Sequence, residues 1–166
     1  MWKLACMLDV PGTPKGQPRP RAAVRGRHAM VYDPKTAAGY KDAICLAVRR
    51  AGLPAMLSGA IRVELFCSFP RPARLETSTA PSWAVPHLSK PDMDNIAKAV
   101  LDALTVAGVW ADDAMVCSLL ASKSYAARGQ APGTCIHIYT LEENAPRCFG
   151  PGASDLAQGT GSGPRR

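Results

Sequence analysis

Hydrophobic positions recur along this chain at two spacings, and the switches between them outline its elements. In residues 2–10, Leu4, Cys6, Leu8 and Val10 alternate with other residues, the period of a strand with one covered face. Residues 60–69 repeat the pattern more sharply. Ile61, Val63, Leu65, Cys67 and Phe69 point one way, and Arg62, Glu64 and Ser68 the other. Between these runs the spacing widens to helical. Ala37, Tyr40, Ile44, Ala47 and Val48 make the apolar face of a helix over about 35–51, with Asp33 as N-cap, Pro34 at its first position and Gly52 as C-terminal stop. A second helix over about 93–107 carries the stripe Ile96, Val100, Ala103 and Ala107, reinforced by Leu101 and Leu104, with Asp92 to cap it and Gly108 to end it. Met30–Tyr32 reads as a short strand, and 114–125 and 134–141 as two longer ones. The order β-β-α-β-α-β-β predicts an α+β fold, a mixed β-sheet with two main helices in a single compact domain over residues 1–144.

Two internal stretches break the periodicity. Residues 11–28 are rich in Pro, Gly and Arg and are read as irregular. Residues 70–91 hold Pro70, Pro72, Pro81, Pro86 and Pro91 and form a loop long enough to be functional or mobile. Residues 145–166 are Gly, Ser, Pro and Ala with two terminal arginines, expected as a flexible tail. No internal repeat is visible.

Composition narrows the function classes. A chain of 166 residues can bury a core without disulfides or structural zinc. No run of about 18 apolar residues marks a membrane span. Asp9, Pro11 and Pro14 interrupt the N-terminal apolar stretch, a poor secretory signal. The six cysteines form no CxxC pair and, without an export signal, are expected as reduced thiols, mostly small core residues, in a cytoplasmic protein. The formal charge is +7, and Lys15, Arg19, Arg21, Arg25 and Arg27 follow one another with no acid among them. Such a run is either a solvated face or a phosphate footprint, and the absence of interleaved acid favours phosphate.

Against that charge stands an acidic segment, Lys90-Pro91-Asp92-Met93-Asp94-Asn95-Ile96-Ala97-Lys98, followed after one helix by Trp110-Ala111-Asp112-Asp113. Crowded carboxylates resist ionising unless a cation sits among them. Mg²⁺ binds through one or two carboxylates with phosphate oxygens and water. A hairpin-like return of the chain would bring Asp112 or Asp113 back against Asp92 and Asp94. Asp94, Lys98 and Asp102 share one helical face. The ordinary structural alternative keeps Asp92 as an N-cap, Asp94–Lys98 as an ion pair and Asp112-Asp113 as turn residues. A calcium EF-hand beginning at Asp92 fails, because Ile96, Ala97 and Ala103 occupy positions that need an oxygen ligand, Gly and Glu.

The K-P-D-x-D-N-x-x-K block followed by W-A-D-D at this spacing resembles the RusA family of Holliday-junction resolvases. The likeness extends over roughly residues 3–142, through Gly12–Arg21, the helix containing Tyr40, and Lys123. It implies a homodimeric, Mg²⁺-dependent endodeoxyribonuclease (Mn²⁺ substituting) that nicks four-way DNA junctions symmetrically in recombination and repair, with no membrane association and no nucleotide cofactor. By motif match, Asp92, Asp94 and Asp113 are metal-binding catalytic carboxylates and Lys98 a catalytic lysine, with Asp112 and Asp102 as possible helpers. Lys15, Arg19, Arg21, Arg25, Arg27 and Lys90 are the expected DNA contacts. The competing expectations are a metal-dependent nuclease acting on other branched DNA and a non-catalytic junction-binding protein. The departures from the family pattern are the Gly/Ala/Pro-rich tail and the 70–89 loop.

Four residues lie outside the motif. His87 is expected as a solvated loop residue rather than a catalytic one. His28 extends the basic stretch, and His137 belongs to a sheet face. Trp83 either stacks on junction bases or packs on its own loop, the second being favoured.

Overall fold

A computed structural model describes residues 1–18, 21–25, 28–32, 37–53 and 56–142, with only the backbone of 21–25 and 28–32. The elements run β1 (Trp2–Pro11), β2 (Arg21–Arg25), β3 (His28–Tyr32), α1 (Ala38–Ala51), β4 (Ile61–Phe69), β5 (Val85–Pro86), α2 (Met93–Val106), β6 (Val116–Tyr125) and β7 (Gly133–Leu141). Five strands form one mixed sheet in the order β1-β7-β4-β6-β5. The expected α+β architecture with two helices is therefore observed. The expected caps Asp33 and Pro34, and the expected tail 145–166, lie outside the described residues.

The alternation along β4 translates directly into burial. Ile61, Val63, Leu65, Cys67 and Phe69 are all buried against the helices, while Phe66 is exposed on the opposite face. On α1, Tyr40, Ile44 and Val48 are the buried residues; on α2, Ile96, Val100 and Ala103 of the expected stripe are buried with Leu104, while its last member Ala107 and the reinforcing Leu101 are only half-buried. Tyr40 and Thr134 bring hydroxyls into this core and bond to each other at 2.7 Å, which offsets the cost of removing both from water. β1 follows its period only in part. A register shift between Leu4 and Cys6 pairs Leu4 with Tyr139, on the open face, so Leu4 is exposed while Leu8 and Val10 are buried.

Two expectations are corrected. Residues 21–25 are not irregular; they pair with β3, Arg21 opposite Tyr32 and Arg25 opposite His28, in a separate two-stranded ribbon. Among the five described cysteines only Cys67 is buried, Cys117 is exposed, and none is bonded to another. Burial pushes the Cys67 thiol up to about 11, so it is an inert core residue at neutral pH.

The path through α2 positions the site. β4 and β6 are parallel, from Ile61 opposite Val116 to Phe69 opposite Tyr125. Parallel neighbours need a crossover, and α2 with its flanking loops supplies it. At its far end the chain turns at Gly108, whose φ of 77° suits glycine. Val109 N–H donates to the Leu104 carbonyl, and Leu57 N–H, just ahead of β4, donates to Val109. Trp110 is fully buried there, its Nε1 donating to Thr105 Oγ1 at 2.8 Å.

Candidate metal and nucleic-acid site

Asp92 occupies the N-cap position of α2 with extended backbone, yet its carboxylate accepts no capping bond. Asp94 follows in the first helical turn, where the helix dipole favours negative charge. Both side chains are exposed, and neither has an ion-pair partner among the described residues. Lys98, one turn further on, is exposed and likewise makes no salt bridge within the described set. The Asp94–Lys98 ion pair is thus not formed. Asp102 is engaged elsewhere: Lys41 Nζ donates to its Oδ2 at 3.2 Å and ties α1 to α2.

An open cleft of about 600 Å³ adjoins Asp92, lined by Gly16, Gln17, Pro18, Lys90, Pro91, Asp92 and Asn95. The Pro-rich arm from β1 therefore runs against the start of the acidic helix. Gln17 N–H donates to the Asn95 carbonyl at 2.8 Å. A Cβ on Gly16 would stand 3.0 Å from Pro91 Cβ and 3.2 Å from Asn95 Cβ, so any larger residue would push the two segments apart by a few tenths of an ångström. Gln17 Oε1 is buried in this region with no hydrogen-bond partner among the described residues. Lys15 and Lys90 are exposed beside the cleft, while the side chains of Arg19, Arg21, Arg25 and Arg27 lie outside the described set.

Asp112 and Asp113 do not return to this cleft within the chain. α2 has 14 residues, roughly 21 Å of axis, and it carries the chain away from Asp92 toward the opposite end of the sheet. Asp113 opens the short turn that leads into Val116 at the start of β6. The hairpin-like return expected from the sequence is replaced by a parallel strand, which begins at the far end by necessity. Asp112 Oδ1 accepts from Ala114 N–H at 2.7 Å and caps that turn, which leaves Asp113 the exposed, uncommitted carboxylate of the pair. Among the described residues no three Asp, Glu, His or Cys side chains lie close enough together to hold a metal ion. Asp92 and Asp94 nevertheless suit Mg²⁺, since both are exposed oxygen donors without ion-pair partners among the described residues, Asp92 lining the cleft and Asp94 following in the first turn, and Mg²⁺ takes its remaining ligands from water and phosphate.

The loop over 70–91 is built around two arginines. Arg71, its side chain 3% exposed, donates to the carbonyls of Leu75, Trp83, Ala126 and Pro81. Arg128 donates to the carbonyls of Thr77 and Ala80. This frame holds Trp83 outward at 68% exposure, so packing on its own loop is not what it does.

His87 is the other reversal. It is buried, stacked on Phe69 at 4.1 Å between ring centres and tilted against Tyr125. Its Nδ1 has no partner among the described residues. Burial, and secondarily the Lys123 charge, hold its pKa below the usual 6.5. Below pH 6.5 the unfolded chain therefore takes up a proton that the folded state refuses, and stability falls as pH drops from there toward the folded pKa. The slope for one such proton is at most about 1.4 kcal/mol per pH unit. Thermal melts of His87→Phe are expected to lose less stability than wild type between pH 7.5 and 5.5; parallel loss would exclude His87 as the source.

Lys123 received no role from the sequence beyond its place in the family-like block. The available signal is its register: it pairs with buried Cys67 on β4, so its stem lies on the helix-covered face. A lysine at such a position must carry its ammonium to a polar partner. Here Nζ donates at 2.7 Å to the carbonyls of Ser89 and of Pro91, immediately before Asp92.

Comparison with known proteins bears on this arrangement. A family model described as Endodeoxyribonuclease RusA matches residues 11–139. The chain is also similar to the uncharacterized protein YqaN of Bacillus subtilis (strain 168), 28% identical over 123 residues, which cover 71% of this chain and 86% of that protein.

Proposed function

The chain belongs to the RusA endodeoxyribonuclease family, and from that premise we propose that it is a Mg²⁺-dependent nuclease that resolves four-way DNA junctions by paired, symmetric nicks. The observation that carries this reading is the pair of exposed carboxylates at the start of α2, Asp92 and Asp94, without ion-pair partners among the described residues, the first of them lining a cleft whose other wall is Gly16–Pro18 of the Pro-rich arm. An acidic pocket in a chain of charge +7 suits a polyanion whose phosphate completes the coordination of a metal.

Asp92 and Asp94 would hold the ion. Mg²⁺ bound there supplies an activated water and charge stabilisation for phosphodiester cleavage. Lys98, one turn away and without a salt bridge among the described residues, is placed to meet the scissile phosphate or the charge that develops on it. Lys15, Lys90 and the arginines of the arm hold the flanking backbone, and Trp83 offers a stacking surface for unpaired bases. Asp113, at the opposite end of its own protomer, reaches this site from a two-fold partner. A symmetric dimer then places two complete sites on a junction whose equivalent arms share the same symmetry.

The direct test is a labelled four-way junction incubated with and without Mg²⁺. Symmetric paired nicks that require the metal are expected; binding without cutting would reduce the protein to a junction-binding module. A second test addresses the arm. Replacing Arg19, Arg21 and Arg25 together by Ala is expected to weaken binding to any DNA and to lower the slope of log K against log salt by roughly 2–3 units. An unchanged slope would leave the arm as a solvated face.

A further inference from the structure

We propose that Lys123 is the positioning residue of the acidic site: it fixes the backbone that delivers Asp92, so metal affinity depends on it while DNA affinity does not. The inference rests on the reading of Asp92 and Asp94 as metal ligands.

The argument starts from what Asp92 lacks. As an N-cap residue it would ordinarily be held by a bond from its side chain to a backbone N–H of the first turn. It makes none, and its carboxylate is exposed. Its placement therefore depends on the chain that leads into it, residues 87–91. That segment has no helix or long strand of its own; β5 ends at Pro86.

Strand β6 supplies the missing support, and Lys123 supplies it twice. Its carbonyl accepts from His87 N–H at 3.2 Å. Its ammonium donates at 2.7 Å to Ser89 and at 2.7 Å to Pro91, two carbonyls on the same side of the segment. An ammonium carries donors only, and no carboxylate among the described residues lies within ion-pair distance of it. Its charge is spent on orienting main-chain dipoles rather than on neutralising an acid. From the other side, Gly16 and Gln17 close on Pro91 and Asn95. The Asp92 backbone is thus clamped between the arm and β6, and Lys123 is the only side chain among the described residues that bonds to the carbonyls of residues 87–91. Groups that orient metal ligands without touching the metal commonly change metal affinity about 10–100-fold.

The test uses metal-free full-length protein without DNA. Mn²⁺ binding is followed by the electron paramagnetic resonance signal of the free ion for wild type, Lys123→Met and Lys123→Arg. Four-way junction binding is measured alongside in EDTA. The expected result is Mn²⁺ affinity lowered about 10–100-fold in Lys123→Met. Lys123→Arg, which keeps donors for the two carbonyls, should recover part of the loss, and junction affinity in EDTA should not change. Lys123→Met binding Mn²⁺ as wild type does would overturn the proposal, as would Lys123→Arg no better than Lys123→Met. A Lys123→Met protein without a cooperative melt would also overturn it, because the role assigned is to one loop and not to the core. Wild-type protein that binds no Mn²⁺ would remove the metal-site reading itself, a failure distinct from the others.

Discussion

Asp94→Asn will abolish junction nicking while leaving junction binding intact or stronger. The side chain is exposed, makes no ion pair among the described residues and lies in the first turn of α2, so the substitution removes no contact that holds the fold. On the proposed reading, what it removes is a charged oxygen ligand. A metal contributes several kcal/mol of transition-state charge stabilisation, and losing its ligand is expected to slow cutting by about three orders of magnitude. Binding responds in the opposite sense, because one negative charge facing phosphate disappears. The measurement is single-turnover cleavage of a labelled four-way junction beside a mobility-shift titration in EDTA. Cutting near the wild-type rate would remove Asp94 from the site.

Two inactive proteins will restore activity when mixed, and this is the sharper expectation. Asp94→Asn and Asp113→Asn dimers are each expected to be dead. After subunit exchange about half of the dimers are mixed. With Asp113 reaching its site from the partner, one site of a mixed dimer collects both substitutions and the other collects none. A supercoiled plasmid with an extruded cruciform is then converted to nicked circle, since one intact site cuts one strand. If each site lay within one protomer, both sites of the mixed dimer would lack a carboxylate and nothing would be cut. The basis is the length of α2, roughly 21 Å between the ends of the element that separates Asp92 from the Asp113 turn. Mixed dimers as inactive as their parents would refute the shared site.

Much of this site could be read from local pattern. The stripe Ile96, Val100, Ala103 and Leu104 sets a helix directly after Asp92, and a loop-to-helix junction places carboxylates two apart near a positive dipole end. The two-residue alternation on β4 settles which of its residues meet the helices. These features depend on residues within one or two turns of each other, so composition and spacing suffice.

The remainder depended on how distant segments meet. Whether Asp113 returns to Asp92 is decided by strand direction, and two strands separated by a helix carry the same alternation whether they pair parallel or antiparallel. His87 reads as polar and loop-borne, but the stacking partner that buries it, Phe69, lies 18 residues earlier at the end of β4. Trp83 reads as an apolar residue in need of cover, and the carbonyl bonds of Arg71 hold its backbone where none is provided. Strand β2 escapes notice because Arg-Ala-Ala-Val-Arg holds a single β-branched residue within a Pro- and Arg-rich stretch, although its partner around Met30–Tyr32 reads as a short strand. The sequence by itself determined the two helices, the long strands and the charge of the arm, and it singled out Asp92, Asp94 and Lys98 as the candidate chemistry. Tertiary structure alone decided that Lys123 arrives beneath Asp92 and that Asp113 does not, because a helical crossover returns the chain to the far end of the sheet before the next strand can start.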